Sequence, residues 1–330
     1  MKSIKVVIGL VLILGSLSAC SAAKSEDPAH KARASACLFT AAVAIVGSPE
    51  QQLAYDLVEA KVVYGLNVKE IEVSSGASDY QIDNLLFTSL KAGCVYFVSG
   101  DSQINNRVAK FASNHKYMVA LIVGGTVPIE QPANVRWVAD DLASGAALAG
   151  FAAAAKSTTD NVGLLVQKGY FQEVKVIRSF TAGVKAFNKA AGRNVDLTVS
   201  RVSTSAQTKA VLDASNEQVV VAVFAGKAIW KVVKQSGTQL LMGANLQLEN
   251  STTVDPRVFA SVERNFNTVV LATASDLLAK KFNLDPILAQ GDALANELIE
   301  LRPKTDTVFE GAALDLLNSY KNRLLAAKNS

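Results

Sequence analysis

The chain has 330 residues, of which 50% are hydrophobic and 19% are charged, and this composition is typical of a globular protein rather than a disordered one. Its length allows two lobes of ordinary domain size. The formal net charge is +4, and the basic residues form no run longer than isolated pairs, so we do not expect a nucleic-acid partner.

The first residues carry an export signal. Lys2 and Lys5 precede an apolar stretch, 6–14, that is too short to span a bilayer stably. The sequence Leu17-Ser18-Ala19-Cys20 then resembles the bacterial lipoprotein signal, which implies cleavage before Cys20 and acylation of its thiol. We therefore expect 1–19 to be a signal peptide and the protein to be held by lipid on the extracytoplasmic face of the cell membrane. A secretory signal with an incidental cysteine is the alternative.

The stretch 20–35 is polar and alanine-rich without a sustained period, and it predicts a flexible tether. No later stretch has eighteen consecutive apolar residues, so the sequence predicts no further membrane span.

Strand and helix patterns then alternate through the first half of the chain. Continuous apolar runs are typical of strands buried on both faces of a parallel sheet, and the Pro49 and Gly65 positions mark the start and end of a helix. This alternation predicts one doubly wound α/β lobe. The predicted strands are 38–46, 68–73, 94–98, 117–123 and a fifth that begins at Val135, and the predicted helices are 48–64, 78–92 and a third that ends near His115.

The second half repeats the scheme after a small-residue helix, about 142–156. Glycine inside a helix costs about 1 kcal/mol relative to alanine, so Gly145 and Gly150 suggest close backbone packing. This helix is either a connector between two lobes or an ordinary helix packed on one sheet. The later predicted strands are 162–166, 195–202, 219–224, 239–244 and 258–262, and the later predicted helices are 171–190, 268–281, 311–327 and two that end near 214 and 235.

These elements predict an α/β fold of two doubly wound lobes around a cleft, with ligands binding beyond the carboxyl ends of the strands. Enzyme signatures are missing. The two histidines, His30 and His115, are too few for histidine-based metal sites or triads, and no G-x-G-x-x-G follows a strand. We expect neither an enzyme nor a cofactor nor a metal site. The adjacent Asp140 and Asp141 would point to opposite faces of a strand, one as a cleft wall residue and one as a helix cap.

Several short motifs occur in a distinctive order along the chain: Ser78-Asp79-Tyr80, Asn134-Val135, Leu148-Ala149-Gly150, Gly183-Val184-Lys185, Gly243 with Gln247, and Ser261-Val262. Their order and spacing resemble the basic membrane protein family of lipoproteins. That family comprises nucleoside-binding components of ABC importers with the type I periplasmic-binding fold. The resemblance implies a first lobe of 36–141 plus about 266–330, a second lobe of 142–265, a small polar solute such as a nucleoside, and an ABC permease as partner.

The chain departs from this family where the family contacts its ligand. Asn245 replaces a carboxylate, and Glu263 stands where the family has a lysine. We expect a solute-binding protein of an importer, or alternatively a binding-fold lipoprotein that acts as a ligand sensor or interaction module and has lost transport. The ligand-binding candidates at predicted strand ends are Ser48, Glu50, Asp101, Asp140, Phe224, Asn245 and Gln247. Ser48 and Asp101 could instead be helix caps, and Phe224 could be a core residue.

Cys37 precedes the first predicted strand and Cys94 begins the third, and these two strands are neighbours in the usual 2-1-3-4-5 order. Neighbouring strands lie about 4.8 Å apart, within the range that a disulfide spans. The pair could form a disulfide, or it could remain as two buried thiols that pack as small hydrophobic groups.

Overall fold

The computed structural model describes residues 34–43, 45–125, 127–128, 130–214, 220–244, 255–284, 298–305 and 308–327. The predicted signal peptide, Cys20 and most of the predicted tether lie outside these ranges, as do Asn245 and Gln247. The tether was predicted to reach Ser35, but Ser35 already begins the first strand. No helix in the described ranges combines the length and the apolar character that a membrane span requires.

A sheet of five parallel strands forms the first lobe, in the order β2-β1-β3-β4-β5. The predicted first strand is displaced: it ends at Ala41. Val43 and Ile45 are exposed, and Val46 contacts the second lobe, where its carbonyl accepts from the Phe171 N–H. The elements are β1 Ser35–Ala41, α1 Pro49–Tyr64, β2 Asn67–Val73, α2 Asp79–Lys91, β3 Cys94–Ser99, α3 Ser102–Ser113, β4 Val119–Val123 and β5 Val135–Val138.

A six-stranded sheet, in the order β11-β10-β9-β8-β6-β7, forms the second lobe. All neighbouring strands are parallel except β11, which runs antiparallel to β10 at the edge. The elements are α4 Leu142–Lys156, β6 Asn161–Gln167, α5 Glu173–Ala191, β7 Asp196–Val202, α6 Ser205–Ala214, β8 Val220–Phe224, α7 Lys227–Val233, β9 Gln239–Met242, β10 Val258–Arg264, α8 Asn267–Leu278, β11 Ile299–Pro303 and α9 Ala312–Ala326. The prediction of two parallel α/β lobes is confirmed.

The small-residue helix α4 packs against α5 at backbone distance. A Cβ on Gly150 would lie 2.1 Å from the Phe180 carbonyl oxygen, and one on Gly183 would lie 2.0 Å from the Ala147 carbonyl oxygen. Close packing was therefore predicted correctly. Helix α4 covers the second sheet and is not a free-standing connector; only its first residues, after the Asp141 cap, lie at a crossing between the lobes.

The chain passes between the lobes three times, from β5 to α4, from β10 to α8, and from α8 to β11. Helix α8 returns to the first sheet, where Tyr96 donates a hydrogen bond to the Val270 carbonyl. Strand β11 and helix α9 belong to the second lobe, because β11 pairs with β10 and the Tyr320 ring stacks on Phe151 at 4.7 Å.

The prediction that about 266–330 lies entirely in the first lobe is therefore wrong for β11 and α9. The sequence analysis also missed β11. Its sequence, Ile-Glu-Leu-Arg-Pro, places charged residues and a proline on an edge strand, where few apolar residues mark the period.

Cys37 and Cys94 lie on the adjacent strands β1 and β3, and the structure joins them in a disulfide with Cα atoms 5.8 Å apart. Cys37 is the third residue of β1 and does not precede the strand as predicted. Both cysteines lie in the core between the sheet and the α2–α3 layer.

We expect no titratable thiol in denatured, unreduced protein that begins at Ser21, and two thiols after reduction. Closing a loop of 57 residues stabilises a folded chain by about 4 kcal/mol in the chain-entropy treatment, so reduction should lower the free energy of unfolding by that order. Thiol titration and urea unfolding with and without reductant measure both effects. Two reactive thiols before reduction would contradict the bond.

Candidate functional site

The carboxyl ends of strands from both sheets meet between the lobes. We call this region the interlobe junction and define it by 45–50 from the first lobe, 167–172 and 224–226 from the second, and the side chains of Asp140 and Arg264. In open parallel sheets, the ends of the strands are where ligands bind. The contacts within this junction therefore decide what a ligand could reach.

A fully buried ion pair joins the two lobes. Arg264, the last residue of β10, donates from Nε to Asp140 Oδ1 at 2.9 Å and from Nη2 to Asp140 Oδ2 at 2.8 Å. The side chains are 0% and 1% exposed, respectively. The remaining terminal nitrogen, Nη1, donates to the Gly47 carbonyl at 2.6 Å, and the guanidinium lies 5.7 Å from the Phe171 ring centroid. One side chain thus connects the ends of β10, β5 and β1.

The loop after β1 packs directly on the loop after β6. The Phe171 N–H donates to the Val46 carbonyl at 2.8 Å. Gly47 has φ +80°, and a Cβ there would lie 2.2 Å from Cζ of Tyr170, so the tyrosine ring rests on the glycine backbone. Only glycine supplies both the left-handed backbone and the missing side chain at this position.

Tyr170 is held on its other sides by the second lobe. Its hydroxyl donates to the Ala244 carbonyl at 3.0 Å, and its ring lies perpendicular to the Phe224 ring with centroids 5.9 Å apart. The residue is 3% exposed. Burial raises the pKa of the Tyr170 hydroxyl, so the group stays protonated and keeps its hydrogen-bond donor at any physiological pH.

Two carboxylates lie on the first-lobe side of the junction. Burial raises the pKa of Glu50, the Ser48 hydroxyl opposes this by hydrogen-bonding to the carboxylate, and the charge of Asp101 raises the pKa further. Asp101 also caps α3 by accepting from the Gln103 N–H at 2.8 Å. Gly100 lets these elements meet, since a Cβ there would lie 3.1 Å from the Glu50 nitrogen.

The predicted candidates fall into different environments. Glu50 and Asp101 are partly exposed at the first-lobe strand ends, whereas Ser48 is buried at the start of α1. Asp140 lies in the junction, but Arg264 occupies both of its oxygens, so it is not available as a cleft wall. Phe224 is fully buried beneath Tyr170 and is a core residue.

The neighbouring Asp141 caps α4, accepting from the Ser144 N–H at 3.3 Å. After β4, Gly124 and Gly125 both have positive φ. The Gly124 carbonyl accepts from Trp137 Nε1 at 2.7 Å, so this strand end presents backbone and no carboxylate.

Sequence reasoning missed the residues that dominate the junction, namely Arg264, Tyr170, Phe171 and Gly47. One signal was present: Tyr170 and Phe171 form an aromatic pair in the short connection between the predicted strand 162–166 and the following helix, where polar loop residues are usual. Arg264 gave no comparable signal, because its partner is 124 residues away in sequence. In the described ranges, no three metal-ligating side chains gather at this or any other place.

We expect Arg264→Met to lower the free energy of unfolding by about 3–5 kcal/mol, because it leaves the Asp140 carboxylate buried without its partner. The double variant Asp140→Asn/Arg264→Met should recover part of this loss, since no buried charge remains. Urea unfolding at neutral pH measures both.

Arg302→Met is the matched control, since Arg302 also pairs with a carboxylate, that of Glu263, but is 66% exposed. Exposed pairs contribute about 0–1 kcal/mol. Equal losses in the Arg264 and Arg302 variants would contradict a special role for the buried pair.

Comparisons with known proteins identify the fold. No family model matches the chain, and no curated protein matches it. An ABC transporter system solute-binding protein from Aeropyrum pernix K1 superposes with a TM-score of 0.59 at 14% identity, over 88% of this chain and 86% of that one. One from Conexibacter woesei DSM 14684 gives 0.58 at 13% identity, over 89% and 97%.

A transcriptional activator of the comK gene from Bacillus halodurans gives a TM-score of 0.60 at 14% identity, over 87% of this chain and 96% of that one. These three likenesses are likenesses of fold. The chain therefore has the type I periplasmic-binding-protein-like fold, with two parallel-sheet lobes.

Proposed function

We propose that this protein is the lipid-anchored, extracytoplasmic solute-binding component of an ABC importer. The observation that carries the proposal is the arrangement of the junction: strand ends of two parallel-sheet lobes face each other, and the chain passes between the lobes three times. Such lobes can separate and close around a small molecule by bending at the crossings. The likeness to two solute-binding proteins of ABC systems supports the proposal.

The solute that fits this site is small and polar, with hydroxyl or amine donors. Glu50 and Asp101 offer carboxylate acceptors at the first-lobe strand ends. High affinity for nucleosides is not expected, because Asp140 is committed to Arg264 and the strand end after β4 lacks a carboxylate. A ribose hydroxyl left without an acceptor costs about 1–3 kcal/mol, so two such losses weaken binding by roughly 30- to 10⁴-fold.

The experiment is a thermal-shift and calorimetry panel of nucleosides, monosaccharides and amino acids on protein purified without denaturation. A solute present at about 100 times its Kd should stabilise the fold by ~2.7 kcal/mol. Glu50→Gln should weaken binding of a positive solute, because the amide has lost one acceptor and the negative charge. Asp213→Asn on α6 is the control, since Asp213 is 62% exposed and pairs only locally with Lys209.

The panel also separates the candidate functions. Sub-micromolar binding of a nucleoside would overturn the solute class and restore that of the related family. If no solute in the panel binds, the result would favour the second candidate, a sensor or interaction module without transport. A specific observation favours that candidate: the protein's own Tyr170, Phe171 and Arg264 occupy the junction.

The lipid anchor is tested separately. Wild-type protein expressed with its export signal should partition into detergent, and mass spectrometry should find acyl chains on Cys20. Cys20→Ser should shift the protein to the aqueous phase, because the thiol that accepts the lipid is gone. Cys37→Ser is the control: it breaks the disulfide but leaves the predicted signal intact, so mass spectrometry should still find acyl chains on Cys20. Aqueous partitioning of unacylated wild-type protein would contradict the anchor.

A further inference from the structure

We propose that Tyr170 is an internal occupant of the ligand cleft, whose ring a solute must displace before the lobes can close around it. The inference deepens the proposed function and rests on it for the solute. The contacts that Tyr170 makes with both lobes do not depend on that function.

The position of Tyr170 is the first argument. Its ring rests on Gly47 from the first lobe and lies perpendicular to the ring of Phe224 at the end of β8. Its hydroxyl donates to the Ala244 carbonyl just beyond β9. The space it fills is thus bounded by strand ends from both sheets. That is the location in which small molecules bind to folds of this kind.

The second argument is that Tyr170 makes the contacts expected of a bound ligand. It lies in a loop rather than in a strand or helix of the core. It nevertheless contacts both lobes, is almost entirely buried, and satisfies the buried Ala244 carbonyl with its own hydroxyl. The adjacent Phe171 N–H adds a backbone hydrogen bond to Val46 across the same gap. The loop after β6 therefore joins the two lobes through contacts of its own residues.

Tyr170 and a solute therefore compete for the same space in the cleft. If the state with Tyr170 outside the cleft is a minor fraction of the population, the apparent affinity of a solute falls in proportion to that fraction. Removing the ring removes the competitor, and it also removes the contact that holds the unliganded lobes together. Both effects can be measured without knowing the solute, because p-cresol reproduces the tyrosine side chain.

The first experiment follows the shape of purified protein by small-angle scattering. We expect Tyr170→Ala to be more open than wild type and to close again when p-cresol is added, with p-cresol binding about tenfold or more tightly than to wild type. Tyr170→Phe keeps the ring and should stay closed. Tyr320→Ala is the control. The Tyr320 ring stacks on Phe151 within the second lobe, so its removal also leaves an aromatic-sized space but should not open the lobes.

The second experiment expels the ring without truncating it. In Gly47→Ala, the new methyl group would lie 2.2 Å from Cζ of Tyr170, so the ring must leave and the lobes should open. Gly169→Ala is the matched control, because its φ of +77° gives the same backbone strain while nothing lies within 4 Å of the added methyl. If Tyr170→Ala does not fold, the scattering of Gly47→Ala compared with Gly169→Ala tests the inference.

Two outcomes would overturn the inference. One is a folded Tyr170→Ala whose scattering matches that of wild type with and without p-cresol, and the other is equal scattering of the two glycine variants. Either result makes Tyr170 an ordinary packing residue. Failure of the proposed function is distinguishable, since it appears as silence of the solute panel for wild type and for Tyr170→Ala alike, whatever the scattering shows.

Discussion

The buried guanidinium of Arg264 is the constraint on which the relation of the two lobes depends. Removing a charge from water costs several kcal/mol per ion, and the pair with Asp140 compensates only because its geometry is bidentate. The Gly47 carbonyl then accepts from the remaining terminal nitrogen. Each of these partners comes from a different strand end, so Arg264 is satisfied in this one arrangement of the lobes. A sliding of one lobe past the other would leave a buried charge unpaired.

The location of the pair also divides the junction into a fixed part and a movable part. Asp140 follows β5 and Arg264 ends β10, so both lie at crossings between the lobes. Residues at the pivots change their separation little when lobes rotate, whereas loops are carried apart. The contacts of Tyr170 with Gly47 and of Phe171 with Val46 join loops that carry no crossing. Opening would therefore break these loop contacts and the hydrogen bond from Arg264 to the Gly47 carbonyl, but it would spare the ion pair with Asp140.

The sequence predicted what local pattern determines. Alternating apolar runs predicted the two lobes, Gly65 predicted the end of α1, and the glycines of α4 predicted its close packing on α5. Strand predictions were wrong where the role of a residue depends on a partner that is distant in sequence. Val46 ends an apolar run that predicted a longer first strand, but it contacts the second lobe, and β11 is too polar and too short to show a strand period.

The candidate site followed the same division. Asp101 and Asp141 are helix caps, a role that local sequence can predict. A cap was predicted for one of Asp140 and Asp141, and as the alternative role of Asp101. The engagement of Asp140 could not be anticipated, because nothing in the spacing links it to Arg264. Phe224 was a candidate because it ends β8. Tyr170, from the loop after β6, instead lies between Phe224 and Gly47 of the first lobe.

These contacts also limit the chemistry of any solute that replaces Tyr170. The Ala244 residue is 1% exposed, and its carbonyl would lose its partner when the tyrosine hydroxyl leaves. A buried acceptor without a donor costs about 1–3 kcal/mol. A solute that enters this space must therefore bring a hydroxyl or amine donor to that carbonyl. It must also pack against the Gly47 backbone, as the tyrosine ring does. A ring that carries a polar substituent meets both conditions, and a purely apolar molecule meets only the second.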